Sequence, residues 1–146
     1  MRIYLDSCSL QRPLDDQTQP RIRVETEAII AILATVQAGD IALLNSEALE
    51  YETGRIPDAQ RQRETEAILS LASEYIKITN EAEILAGTLE TQGVQAMDAV
   101  HLALASTTKA DYFVTCDDKF LRKASTIPNL GCQVISVLSL VVEVLK

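Results

Sequence analysis

The chain has 146 residues, 47% of them hydrophobic and 23% charged, which is the make-up of an ordinary globular protein and excludes disorder, collagen-like repetition and a disulfide scaffold. Thirteen Lys and Arg against 21 Asp and Glu leave a formal charge of −8, so the molecule as a whole does not attract nucleic acid or an anionic membrane, and any phosphate-bearing substrate has to be held locally. The cysteines at 8, 116 and 132 show no C-x-x-C spacing and have one His to help them, which argues against zinc.

The length suits one domain over residues 1–146, burying roughly 70% of the surface its unfolded chain exposes. Short apolar runs alternate with longer helical ones, as in parallel β-α-β units. The first strand is Ile3 to Leu5, and Gln11 to Pro20, with two prolines and Asp15-Asp16, reads as the loop after it. A crossover helix follows over Arg21 to Ala38, with Ile22, Ile29, Leu33 and Val36 on one face, Pro20 before it and Gly39 after it. The second strand is Ile41 to Leu44. Ser46 and Asp58 cap two further helices, the second presenting Ile68, Leu71, Ala72 and Tyr75. The third strand is Ile76 to Thr79, and Asn80 with Glu83 makes a capping-box-like start for a helix stopping at Gly93. Ala96 to Thr108 is a strongly apolar, largely buried helix. Tyr112 to Thr115 is strand four, Asp117 to Ala124 a short helix, and Val134 to Val137 strand five. Leu138 to Leu145 fits either a helix or an apolar strand.

In an open parallel sheet ligands bind beyond the carboxyl ends of the strands, at the point where the strand order reverses. Asp6 directly follows strand one and Asp117 follows strand four by one residue; if those strands are neighbours, the two acids face each other. Asp98 lies between two apolar stretches, where a charge needs a partner or a cation. Glu47, Glu50 and Glu52 follow strand two on a helix and point in different directions, so not all of them enter one cleft. Carboxylates that converge without matching cations are the ligand set of Mg²⁺ or Mn²⁺, and such a centre suits phosphodiester cleavage. Ser7 and Ser9 have no evident base to make them nucleophiles. Lys119, Arg122 and Lys123, which follow Asp117, supply local positive charge. Each acid has a plainer reading as a helix cap, a dipole-favoured acid or a solvated side chain. His101, one turn after Asp98, is weighed as a satisfied core residue ahead of a site residue, and Cys116 and Cys132 as small buried hydrophobes.

Tyr4-Leu5-Asp6-Ser7-Cys8, Met97-Asp98-Ala99-Val100-His101-Leu102-Ala103 and Phe113-Val114-Thr115-Cys116-Asp117 resemble, in order and position, the three acid-bearing segments of PIN domains. The resemblance spans residues 1 to about 137. It implies an α/β, PIN-like three-layer sandwich with a central, mostly parallel five-stranded sheet. The activity it implies is a Mg²⁺- or Mn²⁺-dependent ribonuclease, most often the toxin of a VapC-type toxin and antitoxin pair. The implied metal and catalytic set is Asp6, Asp98, Asp117 and a second acid six positions beyond a small polar residue, a spacing met by Ser46 and Glu52, with Glu50 and Glu47 as fallbacks. The family departures are Cys8, where many members carry Asn, and Ser9, in place of an aliphatic residue.

The implied partners are an RNA substrate, a small basic antitoxin encoded nearby and a second copy of the chain. The absence of a signal-peptide h-region and of an 18-residue apolar run sets the expectation of a cytoplasmic protein without a membrane span. A haloacid-dehalogenase-like phosphatase needs an acid where Cys8 stands. A receiver domain needs a phosphorylatable Asp where Thr79 and Asn80 stand. The rival from another class is a PIN-like binding or scaffold module without catalysis.

Overall fold

The computed structural model describes residues 1–145. Strands β1 (Arg2–Leu5), β2 (Ala42–Ser46), β3 (Glu74–Ile76), β4 (Tyr112–Thr115) and β5 (Gln133–Ser136) form one sheet in the order β3-β2-β1-β4-β5. Every neighbouring pair is parallel, so the sheet is wholly rather than mostly parallel. Its central strands carry continuous apolar runs because both faces are covered: Ile3, Tyr4 and Leu5 of β1 and Leu43 and Leu44 of β2 have no exposed surface.

The helices are α1 (Ser7–Gln11), α2 (Pro20–Gln37), α3 (Glu47–Gly54), α4 (Ala59–Leu69), α5 (Asn80–Thr91), α6 (Ala96–Thr107), α7 (Asp118–Ala124) and α8 (Val137–Val144). Helices α2 and α8 pack against each other in one outer layer, and α5 and α6 pair in the other. Pro20 opens α2, where its missing N–H costs nothing. Helix α6 is buried from Ala99 to Ser106 apart from Val100, as its unbroken apolar stretch requires. Helix α5 stops where Gly93 adopts φ 96°, a left-handed conformation that a Cβ would strain.

The structure differs from the sequence reading at several joints. Gln11 to Pro20 is not all loop, since α1 starts immediately after β1 and a 3-10 turn continues it over Arg12–Leu14. The signal for α1 is Asp6, whose carboxylate caps the helix, and the cap is easily overlooked because the helix is only five residues long. Strand β3 lies two residues earlier than expected, which takes Tyr75 off the helix face and leaves it 48% exposed. Thr79, not Asn80, caps α5, accepting from the Ala82 N–H. The C-terminal segment left open between helix and strand is helix α8.

Candidate active site

Strands β1 and β4 are neighbours, with Leu5 opposite Val114. The chain steps from β1 to β2 on one side and returns through β3 to β4 on the other, so the strand order reverses between β1 and β4 and their carboxyl ends open into a crevice. The sequence acids fall there. Asp6 caps α1: its Oδ1 accepts from the Ser9 N–H at 3.0 Å and from the Cys8 thiol at 3.1 Å, so the family departure at position 8 fills a donor's place. The Thr115 hydroxyl also reaches this carboxylate. Burial outweighs these contacts and holds the Asp6 carboxyl above its ordinary range. Asp117 caps α7 through the Phe120 N–H at 3.1 Å, and its own N–H donates to Thr115 Oγ1 at 3.0 Å. One threonine thus tethers both acids.

Asp98 projects from the first turn of α6 and has neither hydrogen bond nor ion pair among the described residues. Burial raises its pKa first, and the charges of Asp6 and Asp117 raise it further. Three carboxylates from three separate elements therefore sense one another across the crevice.

Of the three glutamates after β2, the fold brings one to the site. Ser46 caps α3 by accepting the Leu49 N–H at 3.0 Å, and from that start Glu52 faces the crevice and meets His101 Nε2. Glu47 turns to the β3 edge and accepts the Ile78 N–H, and Glu50 accepts from Asn45 and Tyr75. His101 is buried to 1% exposure, yet it is a site residue as well as a core one, and its contact is Glu52 rather than a hydrogen bond to Asp98. Behind it the Tyr4 hydroxyl lies 2.5 Å from Nδ1 and 2.7 Å from Ser46 Oγ. With the imidazole proton on Nε2, Nδ1 is an acceptor and the chain is satisfied in one direction. Ser46 donates to Tyr4, Tyr4 donates to Nδ1, and Nε2–H donates to Glu52. Burial drives the Tyr4 pKa upward, which keeps that hydroxyl a donor.

Asp6, Glu52, Asp98 and Asp117 line one cavity of about 380 Å³, together with His101 and Arg61. Sequence reasoning missed Arg61. It comes from α4, and its guanidinium is fastened to Gln11 Oε1 at 2.8 Å, to the Leu14 carbonyl at 2.9 Å and to the Asp15 carboxylate. No periodicity marks it, because only the tertiary fold carries α4 across to α1. Among the described residues no three His, Cys, Asp or Glu side chains close round a point as a ready ligand set. The donors are nonetheless all hard oxygens, and Asp98, its pKa raised by burial and by the neighbouring acids, has no hydrogen-bond partner among the described residues. That suits a cation which keeps most of its waters and takes one or two carboxylates.

The family model for the PIN domain matches residues 3–125. By sequence, no curated protein matches the chain. Among solved structures, the chain is similar to VapBC2 from Rickettsia felis bound to a DNA fragment from their promoter, with 17% identity over 93% of this chain and 98% of that one and a TM-score of 0.66. It is also similar to PAE2754 from Pyrobaculum aerophilum, at 18% identity, 99% and 90% coverage and a TM-score of 0.59. A third likeness is to VapBC-1 from nontypeable Haemophilus influenzae, at 16% identity, 94% and 99% coverage and a TM-score of 0.56. At these identities the solved structures speak for the fold alone. The family match covers most of the chain and takes in all four crevice acids, and the parallel sheet is the one such acids require: the chain belongs to the PIN domain family.

Proposed function

We propose that this protein is a Mg²⁺- or Mn²⁺-dependent endoribonuclease, a single domain over residues 1–146, acting as the toxin of a toxin and antitoxin pair. The observation that carries the reading is the convergence of Asp6, Asp98 and Asp117 from three elements on one crevice, with the Asp98 carboxyl destabilised first by burial and then by the other two. Asp6, Asp98, Asp117 and Glu52 would hold the ion. When bound, it supplies polarisation of a phosphoryl oxygen and a water nucleophile at neutral pH. Glu52, held from behind by His101, accepts a hydrogen bond at a fixed place, and Arg61 brings positive charge to the wall that faces the phosphate.

The partner part of the reading is supported by the two neighbours that are VapBC structures. The basic antitoxin fits the net charge of −8 and the acid crevice. Exposed apolar side chains Leu138 and Val142 on α8, with Val24 on the adjoining α2, support a homodimer. Cytoplasmic location is part of the same reading, and among the described residues no helix is long and apolar enough to cross a membrane.

The test is cleavage of single-stranded RNA by the purified protein with Mn²⁺, with Mg²⁺ and with excess chelator. Cleavage only with metal is expected, and activity surviving in chelator would overturn the metal mechanism. The second reading, a binding or scaffold module without catalysis, draws on the openness of the acid cluster. It is upheld if RNA binds but is not cut with either ion.

A further inference from the structure

A second cavity, of about 470 Å³, lies between the α5–α6 turn and α7 and shares Asp98 and Asp117 with the acid crevice, so the two adjoin. Val94 and Phe120, each less than a tenth exposed, lie beneath it. Its rim is basic. Lys119, Arg122 and Lys123 stand at i, i+3 and i+4 on α7 and so share one side of that helix.

Arg2, Arg12, Arg21 and Arg61 are each paired with a carboxylate, while the other described Lys and Arg side chains, Lys119, Arg122 and Lys123 among them, form no ion pair within 4.0 Å among the described residues. Lys123 is also guided. A Cβ on Gly93 would come within 2.7 Å of Lys123 Cε and 2.8 Å of Nζ, so the bare backbone of that turn is the bed on which the ammonium rests at the cavity mouth. A basic rim beside the acid crevice is suited to tracking the backbone of a single strand. The volume lies within the range of pockets that take small organic groups.

We propose that this cavity seats the nucleotide next to the scissile phosphate, its phosphate on Lys119 and Lys123. The inference rests on the ribonuclease reading and deepens it. It explains how an acidic protein holds RNA. The acids gather in one cavity, and the basic side chains at the rim of the adjoining one hold the flanking phosphate that the net charge repels.

The test compares wild type with the double variant Lys119→Ala/Lys123→Ala on a mixed-sequence single-stranded oligoribonucleotide in Mn²⁺. Both side chains are exposed, so the fold tolerates the change. The expected result is a KM raised about tenfold or more with kcat within about threefold. The slope of log(kcat/KM) against log salt should become shallower by about 0.7, the loss of one single-strand phosphate contact. The Mn²⁺-induced rise in thermal midpoint should match that of wild type, because neither lysine is among the acids. A wild type that cleaves while the variant keeps its KM and salt slope overturns this inference alone. A wild type that does not cleave RNA at all overturns the ribonuclease reading and this inference with it.

Discussion

Asp98 is an acid without a partner, and at the residue scale that makes it the most sensitive reporter of the crevice. Its folded-state pKa lies above the unfolded value, so the native protein binds more protons in the window between them. The stability linked to this group is fully present below the unfolded pKa and is lost as pH rises through the folded one. Asp98→Asn should therefore raise the metal-free thermal midpoint at pH 7 by about 1–3 °C. The gain is small because half the side chain remains in solvent and the helix dipole already favours an acid there. Thermal melts from pH 7 downward check it: the gap between variant and wild type should close on acidification as the wild-type carboxyl takes its proton. The same variant should lose most ribonuclease activity. The glutamates divide as sharply. Glu52→Gln should lower activity at least tenfold, whereas Glu47→Gln and Glu50→Gln, whose carboxylates are engaged at the β3 edge, should stay within about threefold of wild type. A helical wheel shows only that these three diverge, and the choice of Glu52 comes from its six-residue spacing from Ser46, which the family resemblance implies. Which spoke meets the crevice depends on the Ser46 cap and on the buried imidazole of His101.

At the scale of elements, the Ser46, Tyr4 and His101 chain links the start of α3, strand β1 and helix α6 behind Glu52. Tyr4→Phe leaves a buried imidazole nitrogen and a serine hydroxyl without their partner and should cost about 1–3 kcal/mol by chemical denaturation. His101→Ala should lower activity through Glu52. His101→Gln offers an N–H toward Glu52 and should recover part of it, a rescue that a purely structural histidine would not show. The last turns of the fold depend on a second close contact. Gly131 donates its N–H to Ser106 Oγ at 2.6 Å, and a Cβ there would fall 2.1 Å from the Ser106 carbonyl oxygen. Gly131→Ala should consequently destabilise the protein by about 2–4 kcal/mol, measured as a shift in the denaturation midpoint, because backbone must move to admit one methyl group. Strands and long helices were legible from apolar runs and from Pro20, Gly39 and Gly93. The short α1 was not, because five residues carry no periodicity and their one marker, Asp6, is weighed as a cap without a helix being placed after it.

For the whole molecule, the parallel order β3-β2-β1-β4-β5 is what turns three acids far apart in sequence into neighbours. The neighbourhood of β1 and β4 followed from handedness and topology rules, whereas Arg61 did not, since its place depends on how α4 settles against α1. The balance of charge is uneven in space: acids meet at the reversal of the sheet, paired arginines stitch elements together, and the free cations on α7 adjoin the acids. If the exposed face of α8 pairs two copies, sedimentation at micromolar concentration should give a dimer, and Val142→Asp should give a folded monomer. The central claim, that the crevice is a divalent-metal site, is tested most directly by titrating metal-free protein with Mn²⁺ and following the thermal midpoint of wild type beside Asp6→Asn/Asp117→Asn. An ion bound to the native state must stabilise it. The wild-type midpoint should climb with Mn²⁺ concentration and that of the variant should stay flat, whereas a wild type that does not shift, or a variant that shifts equally, would contradict the claim.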